Sequence, residues 1–240
     1  MRKIAVYNKK GGVGKSTISV QLAHGLAREG NKILLFDLDG QNNCSLFLGF
    51  SDYDKTFVDV IDKRYPEKIE NCVYEVRNNL YILPNSDYEV IENRASDYPR
   101  PEYFIKDFLT VDNYDYVIID CPPTALGINK AILLYADEIL VPVLLESGSI
   151  QGVKELLGYL ELLKLPNSMI KWIVPNKFRK TTNLHNHYLG KLADIFPKRI
   201  LKPIPERIKI ADLATEGKTV FENKSLTKHF KPIIRRVKNE

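Results

Sequence analysis

The residues most able to do chemistry lie in one run, Lys9-Lys10-Gly11-Gly12-Val13-Gly14-Lys15-Ser16-Thr17. A short apolar strand, Lys3 to Tyr7, leads into it, and Ile18, Leu22 and Leu26 follow at a spacing of four, on one helical face. Strand, glycine loop, helix is the order that a phosphate-binding loop requires. Three glycines let the backbone turn its N–H groups inward around an anion, and the open N–H groups of the helix start add a favourable dipole. Lys15 then reaches β- and γ-phosphates, while the Ser16 hydroxyl can ligate Mg²⁺. Lys10 is a second cation at the head of the loop, and two lysines so close repel each other unless a polyanion lies between or beside them.

Such a loop needs a sheet to carry it. Gly30-Asn31 stops the first helix, and Lys32-Ile33-Leu34-Leu35-Phe36 reads as a buried parallel strand ending in Asp37-Leu38-Asp39-Gly40-Gln41-Asn42. Tyr116-Val117-Ile118-Ile119-Asp120 is a second such strand, followed by Cys121-Pro122-Pro123, whose prolines stiffen the turn. Acids at the carboxyl ends of these strands face the crevice where open α/β sheets bind ligands, and Asp120 can hold the water shell of Mg²⁺ there.

The remaining elements follow by periodicity. Helices are expected over Tyr53–Arg64, Pro101–Leu109, Ala131–Leu134 and Gly152–Leu163, the last with Val153, Leu156, Leu157, Leu160 and Leu163 as a core stripe. Strands are expected at Asn79–Pro84, Ile139–Val143, Trp172–Lys177 and, as a last short piece, Ile200–Pro205. Residues 50–112 say least, and half-buried packing is the expected role of Tyr88, Tyr98 and Tyr103. His185-Asn186-His187 reads as a polar loop, and Leu226, Phe230, Ile233, Ile234 and Val237 make a closing amphipathic helix with Pro232 near a turn or kink. With no internal repeat and no linker, residues 1–240 form one doubly wound α/β domain with a mostly parallel sheet flanked by helices.

Composition narrows the classes. A 44% hydrophobic and 27% charged chain of 240 residues is ordinary for a globular protein with a substantial core. No uncharged run approaches the roughly eighteen residues of a membrane span, and Met1-Arg2-Lys3 leads straight into a strand, so a cytoplasmic protein without stable membrane insertion is expected. Cys44, Cys72 and Cys121 lie far apart, which argues against a disulfide framework, a zinc site and an iron–sulfur carrier. Charge is unevenly placed. Residues 198–240 hold twelve Lys/Arg against five acids, a local charge of +7 within a net +5. That bias suits a polyanion partner, either nucleic acid or an anionic membrane surface.

The ordinary phosphate loop, G-x-x-x-x-G-K-[ST], has Gly where this chain has Lys9. Lys10-Gly11-Gly12-Val13-Gly14-Lys15-Ser16 instead resembles the deviant Walker A motif, K-G-G-x-G-K-[ST], of the ParA/MinD ATPases. Asp37-Leu38-Asp39-Gly40-Gln41 resembles that family's D-x-D-P-Q, with Gly40 in place of proline, a change expected to loosen the turn. Ile118-Ile119-Asp120-Cys121-Pro122-Pro123 matches I-I-D-x-P-P, and Ala211 to Lys218 resembles the A-x-x-x-G-K/R-P region with Thr219 where proline is frequent.

The resemblance implies a P-loop NTPase fold, ATP and Mg²⁺ as cofactors, and a specific division of labour. Gly11, Gly12, Val13, Gly14, Lys15, Ser16 and Thr17 cradle the phosphates, and Lys15 acts in cis. Lys10 reaches across an ATP-dependent homodimer to the partner's nucleotide. Asp39 lies near the γ-phosphate, the attacking water and the metal, which Ser16 and Asp120 also serve, while Asn176 and Pro205 stand beside the base. The ParA type further implies slow hydrolysis, non-specific DNA binding, a nucleoid-associated location and a ParB-type centromere-binding partner protein, for segregation of plasmid or chromosomal DNA. The MinD type would instead place the basic C-terminus on a membrane surface. A small-molecule ligase on the same fold would have no evident use for Lys10 or the basic C-terminus.

Overall fold

Short strands that are apolar along their whole length set the architecture. The computed structural model describes residues 1–123 and 127–240, and among these residues seven strands form one sheet in the order β3-β4-β2-β5-β1-β6-β7. They are β1 (Arg2–Val6), β2 (Ile33–Asp37), β3 (Tyr74–Arg77), β4 (Leu80–Leu83), β5 (Tyr116–Asp120), β6 (Glu138–Leu144) and β7 (Ile170–Asn176). All pairings are parallel except that of β3, an antiparallel edge on β4. The helices are α1 (Lys15–Arg28), α2 (Asn43–Phe47), α3 (Phe57–Val60), α4 (Tyr88–Ser96), α5 (Phe104–Phe108), α6 (Ile128–Tyr135), α7 (Ser149–Leu162), α8 (Asn183–Ile195), α9 (Ile208–Thr215) and α10 (Lys224–Asn239).

Successive residues of a strand point to opposite faces, so the central strands are apolar throughout and feed two cores. Tyr116 and Ile118 of β5 join Leu22, Leu26, Phe230 and Ile234 on one face, while Val117 and Ile119 join Phe36, Phe57, Phe104 and Leu160 on the other.

Three expectations are corrected. Ile200–Pro205 is no strand: Ile200 and Pro205 make only isolated bridges, to Ile173 and Phe178, because Pro203 and Pro205 have no N–H to build a ladder. The helix expected over Tyr53–Arg64 shrinks to α3, capped by Thr56 through Val58 N at 3.2 Å. It ends where Asp62 Oδ1 takes the N–H groups of Arg64 and Tyr65, both at 2.7 Å, into a turn of its own. His185 and His187 lie in α8 rather than in a loop; that helix fully buries only Leu192, so its apolar period is faint. The closing helix is present as α10, with Pro232 inside it and Phe230, Ile233 and Ile234 all at most 3% exposed.

Helix α10 closes the molecule over α1. At Gly25 of α1 a Cβ would lie 2.5 Å from Ile234 Cδ1, so the two helices meet where only glycine fits. Next to this contact His24 is buried, its Nδ1 2.7 Å from Thr219 Oγ1, and burial lowers its pKa to about 4. The folded protein therefore refuses a proton that the unfolded chain accepts near pH 6.5. Stability should be full above that pH and decline by about 3 kcal/mol as pH falls toward about 4. Denaturant midpoints at pH 7 and pH 5 check this: the difference should shrink in His24→Gln, and an equal pH dependence in that variant would assign the loss to other groups.

Candidate functional site

The loops that matter leave the sheet at one level. Val6 of β1 and Asp37 of β2 both pair with Asp120 of β5, so three carboxyl ends lie side by side where β1 stands between β5 and β6. Above them is a cavity of about 870 Å³ lined by the loop residues Gly11, Gly12, Gly14, Lys15, Ser16 and Thr17. Asp39, Gln41 and Pro123 form another wall, and Asn176, Pro205 and Arg207 a third.

The loop takes its shape from two glycines in the left-handed region, Gly12 at φ 72° and Gly14 at φ 95°. A Cβ on Gly14 would meet Asn176 Nδ2 at 2.2 Å, so the loop and β7 touch through this residue. Asn176 donates to Val13 O at 2.9 Å and accepts from Lys177 N at 2.9 Å, which leaves one amide hydrogen and one lone pair for a ligand. Helix α1 starts at Lys15 with no side-chain cap and no acid in its first turn. Its first N–H groups are thus available to an anion.

The two lysines are placed differently. Lys15 is 5% exposed, with Nζ 3.4 Å from Lys10 O; burial lowers its pKa, and Asp120, Cys121 and Asp39 act against that shift. Lys10 does not line the cavity of its own chain: its ammonium pairs with Glu146, on the connection after β6, and its side chain is 56% exposed. Asp39 stands in a turn it helps to make, accepting from Gln41 N at 3.1 Å. Gly40 of that turn lies against α4. A Cβ there would lie 2.8 Å from Tyr88 Cβ, so α4 closes directly on Gly40 and leaves a proline ring no room.

Asp120 lies beneath the cavity, fully buried. Burial pushes its pKa up to about 6, while Ser16, Ser19 (Oγ at 2.8 Å from Oδ1) and Cys44 (Sγ at 3.3 Å from Oδ2) pull it back. Sequence reasoning gave no individual role to two of its neighbours, Asp37 and Cys44. Asp37 is also fully buried, and burial followed by the Asp120 charge pushes its pKa well up. Its Oδ2 accepts from Cys44 N at 3.0 Å and Ser45 N at 3.2 Å, whereas Oδ1 has no partner. Asp37, Cys44 and Asp120 bring their ligand atoms within 4.8 Å of one another. Two carboxylates in so dry a place repel, and a divalent cation by Ser16 and Asp120 would supply the missing positive charge. The signal for Asp37 was its place at the strand end; Cys44, in a five-residue helix, carried none.

A family model described as an AAA domain matches residues 1–171. The chain is 27% identical over 232 residues to the chromosome partitioning protein ParA of Caulobacter vibrioides, covering 92% of this chain and 86% of that protein. To the sporulation initiation inhibitor protein Soj of Bacillus subtilis it is 28% identical over 245 residues, covering 91% and 89%. An McdA variant of Cyanothece, solved in complex with ATP, shares the fold with a TM-score of 0.85 at 22% identity, covering 99% of this chain and 96% of that one. Loop, strand-end acids and relatives agree: the chain belongs to the ParA/MinD family of deviant Walker A ATPases and is of the ParA, Soj-like type.

Proposed function

We propose that this protein is a partition ATPase that binds ATP with Mg²⁺, hydrolyses it slowly, forms a face-to-face homodimer when ATP is bound, and then holds DNA of any sequence. The observation that carries the reading is the division between the lysines: Lys15 is buried at its own cavity, and Lys10 is exposed outside it. A loop lysine turned away from its own site is suited to a second subunit's phosphates, and dimerisation would exchange Glu146 for them. Lys15 and the N–H groups from Gly11 to Thr17 would neutralise the phosphates, with Ser16 and Asp120 serving Mg²⁺. Asp39 would border the metal and orient the attacking water. Asn176 and Pro205 would flank the base. A ParB-type protein bound to the cargo would stimulate hydrolysis and release the dimer from the nucleoid.

The C-terminal helix supports DNA over membrane. Its apolar stripe is spent on the core, with Leu226, Phe230, Ile233, Ile234 and Val237 all at most 5% exposed. Its outward face carries Lys224, Lys228, Lys231 and Arg235 at spacings of four, three and four, all exposed. Among the described residues no helix is long and apolar enough to cross a membrane. Each cation that neutralises a phosphate releases condensed counterions, so six contacts shared by two subunits give a log–log salt slope of about −5. Binding to arbitrary duplex DNA should require ATP, follow that slope, and weaken alike for all sequences in Lys228→Glu/Arg235→Glu while basal hydrolysis is unchanged. A salt titration with ATP and with ADP, run beside sedimentation with anionic vesicles, decides it. Binding that ignores nucleotide and salt, or ATP-dependent pelleting with vesicles instead, overturns the DNA reading.

A further inference from the structure

Helix α4 touches both the turn after β2, which carries Asp39 of the cavity wall, and the start of α6. On one side Tyr88 lies flush on Gly40, the residue after Asp39, where a Cβ would be 2.8 Å from Tyr88 Cβ. On the other, Glu92 meets the start of α6: its Oε2 accepts from Ile128 N at 3.3 Å, and a Cβ on Gly127 would fall 1.5 Å from its Oε1. One hydrogen bond joins the two contacts, from Tyr88 Oη to Glu92 Oε2 at 2.8 Å across one helical turn. Asp39 lines the cavity, as does Pro123 on the connection between β5 and α6.

The helix that makes these contacts is anchored independently of them. Asp87 caps it by accepting from Glu89 N at 2.9 Å and Val90 N at 3.2 Å. Arg94 Nε donates to Ile61 O at 3.1 Å, and Ile91 and Ala95 are buried. Both contacts also depend on a missing side chain. Gly40 and Gly127 are the residues on which Tyr88 and Glu92 rest, and Gly127 at φ 63° and ψ −115° holds a conformation that L side chains rarely adopt. The arrangement therefore has the parts of a clamp: a fixed bar, two grips, and a hydrogen bond that lets one grip sense the other.

We propose that Tyr88 and Glu92 are positioning residues for ATP hydrolysis, tying the Asp39 turn to the start of α6 so that these two segments adjust together when nucleotide fills the cavity. The proposal rests on the ATPase reading above. Neither side chain touches the reacting atoms; each acts through the loop it holds. A displacement of about 1 Å in a group that orients water is enough to cost a large factor in rate.

Two measurements test it. In Glu92→Ala, kcat should fall about tenfold while the affinity for a fluorescent ATP analogue stays within about threefold. Glu92→Gln should recover most of the rate, because its carboxamide oxygen still accepts from Tyr88 and Ile128. The second measurement is amide hydrogen exchange, which needs no hydrolysis: Glu92→Ala should speed exchange at Ile128 and also at 40–42, on the far side of the helix. Tyr88→Phe, which keeps the ring on Gly40 and removes only the hydroxyl, should show the same paired change to a smaller degree. It keeps the test available if Glu92→Ala folds poorly. Exchange altered at Ile128 alone, or kcat, affinity and thermal midpoint falling together with no rescue by glutamine, overturns the clamp. A wild-type protein that binds ATP without hydrolysing it would defeat the ATPase reading and the role in hydrolysis, and the exchange pattern would still report whether the loops are coupled.

Discussion

Asp39→Ala is expected to lower the rate of ATP hydrolysis by about 10²- to 10⁴-fold while leaving ATP and Mg²⁺ bound, the loss typical of a positioned proton-handling group. The geometry separates the two tasks. Asp39 lines the cavity and spends one lone pair on Gln41 N, so a carboxylate oxygen remains for water. In the proposed arrangement the phosphates would be held by the glycine loop and Lys15, and the metal's oxygen ligands would come from Ser16 and Asp120. With binding intact and hydrolysis blocked, the ATP-bound dimer should accumulate. Single-turnover hydrolysis beside sedimentation in ATP reads both effects. Equal hydrolysis by variant and wild type would remove Asp39 from the mechanism, and lost ATP binding would make it a nucleotide ligand.

Lys15→Ala should weaken ATP binding on the order of 10²- to 10³-fold, because removing one partner of a charge pair in a dehydrated site costs about 2–5 kcal/mol. At 5% exposure its ammonium already sits partly out of water, with burial lowering its pKa, so its affinity for an incoming phosphate is not diluted by solvent. Lys10→Ala should behave otherwise. Its ammonium faces Glu146 and solvent, so the monomer should bind ATP nearly as well as wild type and fail to dimerise. Equilibrium binding and sedimentation velocity, each with ATP and ADP, separate the two lysines. A Lys10→Ala protein that dimerises normally defeats the face-to-face arrangement, and loss of ATP binding in both variants would mean that Lys10 serves its own nucleotide.

Much of this was legible before any coordinates, wherever information is local. The loop from Lys10 to Thr17 announces itself because glycine, lysine and serine act within one turn of chain, and the helix after it shows its period within fourteen residues. The strands ending in Asp37 and Asp120 are equally plain, since a strand covered on both faces must be apolar throughout. Where the signal was weak, the cause was local too. Helix α8 fully buries one residue, and the stretch 200–205 after it has prolines that mimic a strand's extension without its ladder.

What only tertiary structure decided are the relations between segments far apart in the chain. Asp37 and Cys44 come to Asp120 across more than seventy residues, and an unpartnered Asp37 Oδ1 appears only once the three are packed together. The packing reason for glycine at 40 lies in Tyr88, forty-eight residues on and invisible to any local window. The apolar stripe of α10 suits a membrane surface as well as a core when read alone, and only its seat on α1 decides between them. A sequence states which side chains a segment would like to hide; which partner hides them depends on chain closure, and for Lys10, turned out of its own cavity toward Glu146, it was the fold that set the direction.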